Sequence, residues 1–232
     1  EDITPEAVCG KVAIVLDVMF ATSTIVAALA AGAREVVPAL DPDDARAIAA
    51  TRPGGSCVLA GERGLDPIPG FSPPYPLALC SQGMVDKTLV YSTTNGTVAL
   101  RASTPAAQVY AAALINAPAT ARHVGAAHTD LDWVIVCAGS RHNANMEDLF
   151  AAGYFVDALA QQRPGRWELS DNALAARTVY RAWQPLPCLL ASRLGQIVVD
   201  IGHREELEYC ARLGVSDLVC TMDGGIIRAR AP

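Results

Sequence analysis

The sequence predicts an α/β fold with a mainly parallel sheet covered by helices on both faces, then a C-terminal helical region and a small hairpin. Three observations predict it. Short β-branched apolar runs alternate with helical stretches through the first two thirds of the chain. All but one of the connections between them are short. Small polar and charged residues collect where the strands end, and in such sheets ligands bind outside those ends.

The run 11–17 (KVAIVLD) is short and continuously apolar, as a buried strand is. The stretch 22–33 reads as a helix capped by Thr22 or Ser23, with Gly32 near its end. Residues 34–40 form a second strand, and Pro38 inside it suggests a sheet edge or an early stop. Residues 41–52 are helical, with Asp41 as cap, Pro42 first in the helix and acids in the first turn. A third strand covers 56–61. Residues 62–84 hold five prolines and three glycines, too many breakers for a mere connector, so this long loop is expected to be functional or mobile.

Strand 87–92 follows, then a short helix from Thr97, strand 108–113, helix 116–127, strand 132–139 and a long helix over 145–162. The last third is mostly helical, with Ser170 as one cap and 204–214 as the last helix. Residues 217–229 read as strand, Asp-Gly-Gly turn and strand. The length of 232 residues fits one domain, or two tightly joined halves with a boundary near 85 or 140.

If the strands are parallel, the loops after 11–17, 56–61, 87–92, 108–113 and 132–139 meet on one rim. That rim would carry Thr22, Ser23, Thr24, Thr93, Thr94, Asn95, Gly96, Thr97, Asn116 and Gly139. Free amides at helix starts attract phosphate or carboxylate, glycine lets backbone approach closely, and hydroxyls add donors. The same residue types also serve as ordinary caps. Arg63 and Arg141 add positive charge. Asp17, Glu62, Glu147 and Asp148 add negative charge, which would repel a phosphate unless a cation lay between. Oxygen ligands suit Mg²⁺, which needs only one or two carboxylates. Glu147 and Asp148 diverge by about 100° on one helix, and Asp148 lies closer to its apolar stripe. Cys137 and His142 stand on the same rim as weaker candidates for nucleophile and proton donor.

Other function classes find less support. Net charge is −6 with no block of like charge, which argues against a nucleic-acid surface. Neither a G-x-x-x-x-G-K-[ST] loop nor G-x-G-x-x-G occurs, so an ordinary nucleotide fold lacks its motif. No apolar run is long enough for a membrane span. The first ten residues are acidic, unlike a signal peptide. Seven cysteines without C-x-x-C fit reduced thiols in the cytoplasm.

The segments AIVLDVMFATST, LAGERG, IPGFSP, TTNGT and VCAGSR…EDLFAAG, in this order, resemble the 2-phosphosulfolactate phosphatase family over nearly the whole chain. That resemblance implies a three-layer α/β/α fold and Mg²⁺-dependent hydrolysis of a small phosphorylated 2-hydroxy acid, of the kind used in coenzyme M biosynthesis. Two departures fall in the expected site loops. Phe20 stands where family members commonly carry arginine, a bidentate partner for anions. The long loop reads GFSPPYP where they commonly read GNSP, so rigid prolines replace a flexible turn. Under this reading Asp17 binds the metal, and Arg63, Arg141 and the amides around Asn95 hold the substrate. The alternative is a non-catalytic binder of a small anionic metabolite on the same fold. A homodimer is the base-rate expectation for assembly.

Overall fold

A computed structural model describes residues 3–140 and 143–230. After a short helix α1 (Pro5–Val8), strand β1 (Val12–Leu16) leads into α2 (Ala21–Ala30), then β2 (Glu35–Ala39) and α3 (Pro42–Ala50). Asp41 caps α3 as its sequence predicts, its side chain accepting from the amides of Asp43 and Asp44. Strand β3 (Cys57–Arg63) turns into a two-residue strand β4 (Asp66–Pro67), and α4 (Pro76–Cys80) closes the proline-rich loop. Next come β5 (Thr88–Ser92), α5 (Gly96–Ala102), β6 (Gln108–Ala112), a 3-10 turn, α6 (Ala117–Ala127), β7 (Trp133–Cys137) and the long α7 (Met146–Gln162). Four helices follow: α8 (Asp171–Ala182), α9 (Pro185–Ala191), α10 (Arg193–Asp200) and α11 (Arg204–Cys210). The hairpin β8 (Val219–Asp223) and β9 (Ile226–Arg230) ends the described chain.

The nine strands form one sheet in the order β4-β3-β5-β2-β9-β8-β6-β1-β7. The C-terminal hairpin therefore lies in the middle of the sheet. It separates two parallel triplets, β3-β5-β2 and β6-β1-β7. Every junction across the hairpin is antiparallel. Three such reversals leave the two triplets running in opposite directions. This corrects the expectation of a single rim shared by all the strand ends. Strand β2 is likewise interior and not an edge; Pro38 fits there because β9 pairs with β2 only at Val36, so Pro38 has no registered partner on that side.

The ends of β1, β3, β5 and β7 meet all the same. β1 and β5 stand five places apart in the sheet, roughly 24 Å if it were flat. Yet Gly96, four residues past β5, lies directly against the Asp17 carboxylate. Twist supplies the physical reason. At roughly 20–25° per strand, five steps of ordinary twist would accumulate more than a right angle, which brings diagonal corners of a sheet towards one another. Helix α2 has nine of its ten residues buried. Its apolar side chains join those of β1, β2, β5 and β6 in one core cluster. A second cluster on the other face packs α6, α7, α9 and α11 against β1 and β6.

Candidate active site

Asp17 directly follows β1 and is 8% exposed, at the floor of a cleft. One of its carboxylate oxygens accepts from the Ala21 amide at 3.3 Å. Burial is the main cause that pushes its carboxyl up to about 7. The charges of Glu62 and Glu147 push the same way, and the amides of Ala21 and Gly96 oppose them.

Most of the hydroxyls on the surrounding turns hold backbone. Thr22 Oγ1 accepts from the Asp17 amide at 3.0 Å and donates to its carbonyl at 2.9 Å. Ser23 donates to the Val18 carbonyl at 2.8 Å, and Thr24 to that of Pro74 at 2.7 Å. Thr93 and Thr97 clasp one another: Thr97 N–H donates to Thr93 Oγ1 at 3.1 Å, and Thr93 N–H donates to Thr97 Oγ1 at 2.9 Å. Turns that leave buried strands must satisfy their own polar groups, and short hydroxyl side chains do so at little volume. Asn116 acts in the same way, accepting from the Ala113 amide and donating to the Leu218 carbonyl, and it does not line the cleft. Asn95 differs: it lines the cleft half-buried, and its side chain makes no hydrogen bond among the described residues.

The four acids divide by role. Glu62 braces two loops, accepting from the amides of Thr94 and Leu65 at 2.7 Å each and from the Thr94 hydroxyl at 3.0 Å. Asp148 accepts from the Val18 amide at 2.9 Å and the Gly139 amide at 3.1 Å, tying the ends of β1 and β7 to α7. Burial first, then the charges of Asp17 and Glu147, holds its carboxyl well above the usual range. Glu147 is 1% exposed. Burial raises it too, partly offset by its own amide, by Ser192 and by Arg193. Its Oε1 is buried with no hydrogen-bond partner among the described residues. Both acids on α7 are thus buried, whereas a helix flank suggests solvent.

The positive charge comes from an unforeseen place. Arg193, the first residue of α10, lines the same cleft as Asp17 and reaches Ser140 Oγ at 3.4 Å. Ser192 caps that helix through the Gly195 amide, a signal the sequence carries; nothing local says that the helix borders the site. Arg63 faces an adjoining groove with Asp41 and Arg46 and makes no ion pair or hydrogen bond among the described residues. Gly139 lines the cleft, with a positive φ of 68°. Arg141 and His142 lie outside the described residues. Burial, with the Asp148 charge, pushes the Cys137 thiol far above its ordinary value, so it is not a poised nucleophile.

The proline-rich loop forms the remaining wall. The Tyr91 hydroxyl donates to the Pro74 carbonyl at 2.6 Å, beside the bond from Thr24. Glu206 accepts from the amides of Leu77 and Ala78 at the start of α4. The segment is thereby packed over the cleft, presenting Tyr75 to it.

A divalent cation can be tested against these residues. Among them no three His, Cys, Asp or Glu side chains converge into a ready cage. Mg²⁺ does not need one, since it keeps several waters and takes one or two carboxylates. Asp17 in the cleft and the unpartnered oxygen of Glu147 fit that smaller requirement. Three buried, mutually repelling carboxylates are also the arrangement a cation would relieve.

The family model for 2-phosphosulpholactate phosphatase matches residues 1–225. Similar proteins include one named probable 2-phosphosulfolactate phosphatase from Symbiobacterium thermophilum, 38% identical over 90% of each chain. Others with that name come from Carboxydothermus hydrogenoformans, 36% identical over 90% of this chain and 85% of its own, and Deinococcus radiodurans, 35% identical over 97% and 92%.

Proposed function

We propose a specific reaction for this chain, which belongs to the 2-phosphosulpholactate phosphatase family and so among the phosphoric monoester hydrolases. The reaction is Mg²⁺-dependent hydrolysis of the phosphate ester of a small 2-hydroxy carboxylic acid, in the cleft above Asp17. The observation that carries it is the buried Asp17 carboxylate, held beside the Asn95–Gly96 turn in a cleft that Arg193 also lines. The ester P–O bond breaks, a P–O bond to water forms, and the leaving alkoxide takes a proton from that water. The products are the alcohol and inorganic phosphate.

Each group has a task. Asn95 and Arg193 bind and orient the phosphoryl oxygens, a guanidinium being suited to a paired contact with such oxygens. Asp17 and Glu147 would hold Mg²⁺, which when bound offsets charge on the phosphoryl group. Asp148 positions the two turns that flank Asp17. Hydroxyls of Thr22, Thr93 and Thr97 keep those turns rigid, so the geometry is prepared before substrate binds. The seven free thiols fit a reducing, cytoplasmic setting.

The test is phosphate release from phosphorylated 2-hydroxy acids, with Mg²⁺ and with EDTA. Release is expected only with the metal. Asp17→Asn is expected to lower kcat at least ~10³-fold, the scale of losing a main charge-stabilising group, while the far-UV spectrum is unchanged. Full turnover by that variant would remove Asp17 from the mechanism. Thermal stabilisation by the esters without any release would instead mark a binding protein.

A further inference from the structure

The cleft lining is of two unlike kinds. Asp17, Asn95 and Arg193 are polar members of it. Met19, Phe20, Leu65, Tyr75, Leu194 and Ile197 make an apolar wall. This apolar wall is built as a unit. Phe20 meets Tyr75 edge to face, ring centres 5.0 Å apart at 82°. Tyr75 rests in turn on His203, centres 4.0 Å apart. The Pro74 carbonyl before Tyr75 is clasped by Tyr91 and Thr24, and α4 after it is capped by Glu206. The rings therefore have little freedom to withdraw.

Charge decides what such a wall accepts. Among the described residues that line the cleft, Arg193 stands with the acids Asp17 and Glu62. An anionic group laid against the apolar wall would meet aromatic rings, whose faces are negative. The donor on that wall is the Tyr75 hydroxyl, which already lies within reach of the Glu206 and Glu62 charges. Burying an unpaired charge there is unfavourable. An aryl or branched alkyl group would instead gain apolar contact with the edges that Phe20 and Tyr75, 7% and 9% exposed, present to the cleft and with Met19, Leu65, Leu194 and Ile197 beside them.

Resting on the phosphatase reading above, we propose that Phe20 and Tyr75 make the site selective for phosphate esters of 2-hydroxy acids with an apolar side chain. Esters carrying a sulfonate or other second acid in that place are disfavoured.

The test compares phosphate release, with Mg²⁺, from 2-phospho-3-phenyllactate, 2-phospholactate and 2-phosphosulfolactate. The phenyl ester is expected to exceed the sulfonate in kcat/KM by at least ~10-fold, the scale of one good apolar contact. Phe20→Arg is expected to reverse that order, chiefly through KM for the phenyl ester. Phe20→Leu, which keeps an apolar wall and guards against misfolding of the arginine variant, is expected to keep it. Equal or faster release from the sulfonate by the unmodified protein overturns this inference and leaves the phosphatase reading intact. Release from none of the three overturns the phosphatase reading, and the selectivity falls with it.

Discussion

A Cβ placed on Gly96 would overlap Asp17 Oδ2 and the Ala21 Cβ. Neither is the end of a flexible chain. Asp17 is fixed by its bond from Ala21, and Ala21 opens the fully packed α2. Gly96→Ala must therefore push the carboxylate out of place or open α5. Overpacking of this kind costs roughly 1–3 kcal/mol, and the displaced group is the one the chemistry needs. The variant is expected to show a lower Tm and a loss in kcat larger than its loss in substrate affinity, read by thermal melts and steady-state kinetics. Unchanged kcat would mean that the Gly96 backbone does not position Asp17. The sequence alone marks Gly96 as a close-approach residue because it opens a helix after a polar turn, and Asp17 as a charge that needs a partner because it ends an apolar run. It does not separate hydroxyls that hold backbone from groups that face the cleft. Thr22, Thr93 and Asn95 look alike in a string, and only the turn geometry shows that the first two are satisfied internally. Arg193 was illegible for another reason: it reaches the site from an element distant in the chain, whereas Tyr75 stands in the GFSPPYP loop that the sequence already marks.

At the scale of elements, Glu35 shows how one triplet is joined to the central hairpin. It begins β2, is buried, and accepts from Arg52 after α3 and from Arg228 on β9. Burial alone would raise its carboxyl, yet hydrogen bonds and charge from both arginines outweigh this and hold it below the ordinary value. The hairpin strand β9 touches β2 at one registered pair, Val36 with Ile227, so this ion cluster reinforces a thin seam. Glu35→Gln keeps the volume and removes the charge, leaving two arginines with a poorer partner. A loss of roughly 1–3 kcal/mol in urea unfolding is expected, as for a charged hydrogen bond removed at a part-buried site. No change in midpoint would mean that the seam holds by packing alone. The elements themselves were largely legible, since strand and helix periods differ and the caps at Asp41, Ser170 and the Asp-Gly-Gly turn are local signals. Their directions were not. Alternation of strand and helix implies parallel neighbours, and that holds within each triplet; a hairpin from the far end of the chain then enters between them, a long-range pairing that no local pattern announces.

For the whole molecule, the balance of buried carboxylates predicts how stability follows pH and metal. Two groups, Glu35 and Asp157, sit with paired arginines and have lowered carboxyls. Their stabilisation is present above the ordinary carboxylate range and is lost as pH falls through their folded values. Asp17, Glu147 and Asp148 behave in the opposite sense. Asp17 ordinarily titrates at 3.8 and in the fold only at about 7. Between those values the folded chain keeps a proton that the unfolded chain has released, so raising the pH favours unfolding. The contribution is fully present below the ordinary value and gone once pH passes the folded one. With metal removed by EDTA, Tm is therefore expected to fall from about pH 5 to about pH 8 as the cluster is forced to ionise. A cation held by Asp17 and Glu147 favours their charged forms, so Mg²⁺ is expected to raise Tm more at the upper end of that range than at the lower. Asp17→Asn removes one titrating charge and one ligand together, and is expected to flatten the pH dependence and shrink the Mg²⁺ effect in the same melts. A Tm in EDTA that stays level across the range would show that the three acids ionise without strain. A Mg²⁺ effect equal at both ends would show that the ion binds elsewhere than this cluster.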